Sequence, residues 1–153
     1  MQESRSRADP ASDRAVSVHT GLLRFSTEGD CDVIDLTEGV LEVVHSSGVE
    51  DGAVSVFVPG STAAVTTMEY EPGGVHDLRD ILERLVPREG DYEHNRLNAD
   101  TNSHAHIRAA IVGPSETLPL RGGRLATGTW QQVVLIDFDD RPRERTVVVQ
   151  VFS

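Results

Sequence analysis

From Ala15 to Phe25 the apolar residues keep strand spacing, with Val16 and Val18, then Leu23 and Phe25, on alternate positions. CDVIDL, residues 31–36, is a second short strand-like run, and the two are expected to form a strand pair. The period then changes: TEGVLEVVHSSGV opens on Thr37 as a plausible N-cap, spaces Val40, Leu41 and Val44 as a helix does, and reaches a stop at Gly48. GAVSVFVPG and TAAVTTMEY are β-branched runs on either side of Pro59-Gly60-Ser61, a turn cluster that suits neighbouring strands. VHDLRDILERLVP carries the clearest helical signal, Leu78, Ile81, Leu82 and Leu85 at i, i+3, i+4 and i+7, with Pro87 just beyond.

Residues 88–101 show no periodicity and read as a long connecting loop holding Tyr92, His94, Asn95 and Asn98. A third helix is expected over HAHIRAAIV, with Ser103 as cap, Ile107, Ala110 and Ile111 as its apolar stripe, and Gly113 as stop. The rest is β: ETLPL, the turn RGGR, the run LATGTWQQVVLIDF, the turn DDRPR and ERTVVVQVF, read as late antiparallel hairpins. The pattern predicts an α+β fold with about three helices in a single domain over residues 15–153. MQESRSRADPASDR, residues 1–14, has no periodic apolar residue and reads as a disordered tail.

At 153 residues the chain has room for one core. Its 14 basic against 25 acidic residues give a formal charge of -11, which argues against nucleic acid and anionic membrane as partners. The single cysteine, Cys31, rules out an intrachain disulfide and a cysteine-only zinc site. Flanked by aspartate, it is no candidate nucleophile. No apolar run approaches a membrane span and no signal segment is visible, so the expected location is the cytoplasm.

The polar residues that invite a chemical reading gather around the third predicted helix. On a helix, at about 100° per residue, His104 and His106 lie about 200° apart. They are either partly solvated first-turn residues or ligands. Upstream His94 could supply a third imidazole for an open metal site, while Asn102 and Ser103 mark a helix start whose free N–H groups attract phosphate. Ser61 and Thr62 offer hydroxyls and backbone donors in a turn, without a P-loop pattern, so a plain hairpin turn between strands is the favoured reading. Arg141, Arg143 and Arg145 alternate and would share a strand face, either to clamp phosphate or to pair with Asp139, Asp140 and Glu144. Glu69, at a strand end, is a candidate general base.

Several of these segments together resemble the YjbQ family. SETLPLRGGRLATGTWQQV, with Gly128-Thr129-Trp130-Gln131, resembles its signature, and STAAVTTMEY, LERLVPREGDYEH, AHIRA and DFDDRPRERTVVVQV follow in a similar arrangement, so that the resemblance spans residues 16–152. It implies an α+β fold with a β-sandwich-like, mostly antiparallel core and assembly as a homotrimer. It also implies a secondary thiamine-phosphate synthase activity, in which hydroxymethylpyrimidine diphosphate is joined to thiazole phosphate with release of diphosphate. The alternative is a non-catalytic trimer that binds a metal or a small phosphorylated metabolite.

Carried onto this chain, the implied catalytic residues are His94, His106 and Glu69, the phosphate-binding residues Ser61, Thr62, Ser103 and Arg143, and the further pocket residues Asn102, Trp130 and Gln131. The expected cofactor is a divalent metal, zinc or magnesium, on His94, His104 and His106. Many family members read His-Thr-Thr-Ala-Ala where this chain reads Gly60-Ser61-Thr62-Ala63-Ala64, and His104 is the expected substitute for the missing imidazole.

Overall fold

Two antiparallel sheets, one of five strands and one of three, carry the fold in a computed structural model that describes residues 15–153; the expected tail, residues 1–14, lies outside the described residues. The elements run β1 (Val18–Thr27), β2 (Asp32–Asp35), α1 (Thr37–Ser47), β3 (Gly52–Phe57), β4 (Ala63–Met68), α2 (Pro72–Leu85), α3 (Glu93–Asn98), α4 (Ser103–Val112), β5 (Ser115–Arg121), β6 (Arg124–Leu125), β7 (Gln132–Asp137) and β8 (Arg143–Phe152). The large sheet has the order β1-β8-β3-β5-β6 and the small one β2-β7-β4. The α+β, sandwich-like expectation is met, with four helices among the described residues in place of about three.

Strands adjacent in sequence repeatedly change sheet, and here the expected pairings fail. β1 pairs with β8 from Val18↔Phe152 to Thr27↔Arg143, whereas β2 pairs with β7, so the first two strands are not partners. Likewise β3 joins β8 and β5 while β4 joins β7; Pro59-Gly60-Ser61 carries the chain from one sheet to the other. β7 and β8 are also divided between the sheets, so the DDRPR segment closes no hairpin. The run before β7 is shorter than expected too, since residues 126–131 are not strand.

Period-two alternation explains the layers. Ala63 and Val65 of β4, with Val133 and Leu135 of β7, face Val54, Val56, Val147, Val149 and Val151 of the large sheet, where α1 adds Val40, Val43 and Val44. Ala64, Val134 and Ile136 point the other way, toward Leu82 of α2 and Ala105 and Ala109 of α4. α1 lies close on β1: a Cβ at Gly21 would stand 2.5 Å from Val43 Cγ2, so a side chain there would push the helix away. Thr37, expected as the N-cap, is instead the first helical residue, and its hydroxyl accepts the Val133 N–H at 3.0 Å.

α4 departs furthest from its hydrophobic pattern. The stripe of Ile107, Ala110 and Ile111 is exposed, while Ser103, His104, Ala105, Arg108 and Ala109 are buried. Small alanines let α4 lie close on β4, and Arg108 is tolerated inside because Val86 O accepts from Nε at 3.0 Å and Glu83 from Nη2 at 2.6 Å. Residues 88–101 are not wholly loop, since α3 forms there, and its Asn95 Oδ1 accepts the Ser103 N–H at 3.0 Å.

Candidate functional site

α3 and α4 bring His94 and His106 together, with ring centroids 4.8 Å apart and planes tilted by 52°. His106 Nδ1 lies 3.1 Å from Ser61 O. A carbonyl can only accept, so the proton sits on Nδ1 and Nε2 keeps its lone pair. Asn95 Oδ1 accepts from Ser103 N–H, which fixes the orientation of that amide; His94 Nδ1, 3.4 Å from the same oxygen, is then also on the donating side. Each imidazole therefore keeps its Nε2 free of the Nδ1 contact that orients the ring. His106 also lines a groove of about 260 Å³ whose other walls are mostly small residues, among them Gly60, Ser61, Ala63 and Ala110.

Beneath Gly60 and Ser61 lies a network of charged groups. Arg145 of β8 donates from Nε to Asp137 Oδ2 at 2.7 Å, and from Nη2 to Asp137 Oδ1 at 2.8 Å and to Thr62 Oγ1 at 2.7 Å. Thr62 in turn donates to Asp139 Oδ2 at 3.0 Å, which also accepts from Arg143 Nε at 2.9 Å. Burial raises the Asp137 carboxyl, but hydrogen bonds from Arg145, from the Thr27 hydroxyl and from the Asp139 N–H prevail and hold it below the usual carboxylate range. Arg141 precedes β8, so only Arg143 and Arg145 share a strand face, but all three arginines approach Asp139, Arg141 with its Nε 3.9 Å away.

The comparisons with known proteins bear on the whole of this domain. The profile described as UPF0047 protein YjbQ-like matches residues 22–153. The chain belongs to the YjbQ family. A UPF0047 protein of Archaeoglobus fulgidus is 38% identical over 84% of this chain and 97% of its own length, and one of Methanothermobacter thermautotrophicus is 35% identical over 89% and 93%. Among solved structures, a YbjQ-like protein of unknown function from Sulfolobus solfataricus superimposes with a TM-score of 0.86 at 30% identity, over 91% of this chain and 99% of that one. A hypothetical protein from Aeropyrum pernix gives 0.80 at 37%, over 86% and 96%.

Within this YjbQ-family chain the expected site residues do not come together in one place. His106 and Ser61 line the groove, and His94 stands against the His106 ring without lining it. Thr62 and Ser103 are buried, Thr62 in the arginine network and Ser103 with its N–H taken by Asn95, so neither is open to a phosphate as expected. Arg143 keeps an exposed guanidinium edge while paired to Asp139. Glu69, Trp130 and Gln131 lie at the far end of β4, where Gln131 Nε2 donates to Thr67 Oγ1 at 2.9 Å and Trp130 is 71% exposed. At about 3.3 Å per residue, that end is roughly 20 Å from the imidazole pair.

His104 is the main correction. It is 1% exposed, and its Nδ1 and Asn102 Oδ1 are both buried without a partner among the described residues. The helical rotation that turns His106 toward Ser61 turns His104 inward, so it does not join the other two imidazoles. Among the described residues no three His, Cys, Asp or Glu side chains are placed to hold one metal ion. A zinc centre with three protein ligands from one chain therefore does not fit; two imidazoles do not fill it. Burial pushes the Cys31 thiol up, consistent with its exclusion as a nucleophile.

Asn95 is the residue missed as a site candidate. Arg145 stands in the sequence only as one of three arginines that could clamp phosphate, and nothing there marks it as the one buried against Asp137.

Proposed function

We propose that the groove beside His94 and His106 is a site for a small phosphorylated metabolite, and that the reaction run there is formation of thiamine phosphate. The observation that carries this reading is the imidazole pair with both Nδ1 atoms engaged and both Nε2 atoms left for a ligand. In the joining step the thiazole nitrogen attacks the pyrimidine methylene carbon, and diphosphate departs with the electrons of the broken C–O bond. An imidazole protonated at Nε2 would donate to a diphosphate oxygen and offset the charge that grows on it. Zinc or magnesium stays in the proposal only as an ion carried in on the diphosphate oxygens; the imidazoles keep their role as proton donors.

The test is titration calorimetry with hydroxymethylpyrimidine diphosphate and thiazole phosphate, followed by an assay for thiamine phosphate. Binding with product, lost in His106→Ala, supports a synthase. Failure to bind either compound sinks this assignment.

A second reading, a homotrimer that binds a metabolite without turnover, is favoured by the outward apolar residues. Ile107 and Ile111 on α4, with Leu97 on α3, leave apolar surface beside the groove that a second copy would cover. Tight ligand binding with turnover at the background rate would select this reading.

A further inference from the structure

Arg145 is 9% exposed, and two of its three guanidinium nitrogens, Nε and Nη2, are committed to Asp137 and Thr62. Nη1 makes no hydrogen bond among the described residues, yet it is not sealed: the buried side-chain atoms without a partner are Asn102 Oδ1 and His104 Nδ1. It lies beneath Gly60, 2.9 Å from where a Cβ would stand, and among the described residues, chain neighbours aside, no other atom comes within 4 Å of that position. Gly60, at φ +133°, is itself a wall of the groove that His106 lines.

We infer that Arg145 Nη1 is an anion hook, reached through the gap at Gly60, that takes a phosphate group of a small metabolite. This deepens the function proposed above and rests on that reading for the identity of the groove. Three features support the assignment. The carboxylates of Asp137 and Asp139 are already matched by Arg145 and Arg143, so they are not free to repel an incoming anion as unpaired charges would. The contacts on the inner nitrogens hold the guanidinium plane in place, so binding costs little side-chain entropy. Finally, the hydroxyl of exposed Ser61, at the same wall, makes no hydrogen bond among the described residues and is a second donor.

The experiment is calorimetric titration of the full chain with inorganic pyrophosphate, and with acetate in parallel. Wild type should bind pyrophosphate and not acetate. Gly60→Ala, whose methyl would cover Nη1, and Arg145→Lys, which keeps the charge but removes the fork, should each bind at least tenfold more weakly, with unchanged far-UV circular dichroism. Because alanine is strained at this φ, the lysine variant decides the question if Gly60→Ala does not fold. No pyrophosphate binding by wild type, equal binding of acetate, or wild-type affinity in Arg145→Lys would overturn the hook. The two proposals fail separately: loss in His106→Ala with no loss in Gly60→Ala and Arg145→Lys leaves the imidazole site standing without the hook. The converse leaves the hook without the imidazoles.

Discussion

Arg145 and Asp137 tie the two sheets together: the guanidinium of β8 in the large sheet donates twice to the carboxylate that ends β7 in the small one, at 2.7 and 2.8 Å. Both side chains are inside, so each charge depends on the other for its solvation. Asp137→Ala would strand the arginine and should destabilise the fold by about 3–5 kcal/mol, read as a lower urea midpoint. Asp137→Asn, which keeps the hydrogen-bonding shape and loses the charge, should cost less. An alanine variant as stable as wild type would mean that solvent reaches the pair.

The same aspartate sets one limit on acid stability. Its carboxyl titrates lower folded than unfolded, so its contribution is complete above the unfolded aspartate value and is lost as pH falls through the folded one. His104 acts at higher pH. Burial, and then the positive charges of Arg108 and Arg88, push its pKa below the ordinary histidine value. The unfolded chain therefore takes up a proton before the folded one does, and stability should drop as pH falls below about 6.5. Melting temperatures across pH 7 to 5 should decline less steeply in His104→Gln; a parallel decline would show that another group is responsible.

For the imidazoles the expectation is a contrast between helix faces. His106→Ala should lower the rate of any reaction at the groove by about 10²–10⁴-fold if the residue transfers a proton. His104→Ala should leave zinc content unchanged in elemental analysis, because its ring is turned away from the other two. A loss of metal in His104→Ala would show that the helix start bends in solution to bring all three rings together.

Self-association should depend on the outer stripe of α4. Ile111 is 61% exposed and Ile107 37%, large apolar residues that a lone chain leaves in water. If the chain assembles as the proposed trimer, Ile107→Asp with Ile111→Asp should convert it to a monomer in light scattering with little change in helix content. A trimer that survives both changes would place the interface elsewhere, the exposed face of the large sheet with Val18, Leu22 and Phe57 being the next surface to test.

The strand and helix segments were legible in the sequence because local alternation and the 3.6-residue period report which positions are apolar. α2 and the β8 run sit close to where their spacing puts them. α3 escaped notice because six residues, none of them buried, leave no periodic trace. The site was half legible: His94 and His106 stood out by type, but Arg145 became distinctive only once the fold had set it against Asp137.

Sequence alone determined the elements, the acidic charge and the family resemblance, all of which depend on residue type and order. Tertiary structure decided which strands pair, because a turn such as Pro59-Gly60-Ser61 serves a hairpin and a crossing between sheets equally well. It also decided which side of α4 is inside: alanines permit close packing on β4 and Arg108 finds its partners there, so the isoleucine stripe that looked like core faces outward. That rotation buries His104 and brings His106 beside His94, a consequence of packing between elements that local periodicity does not record.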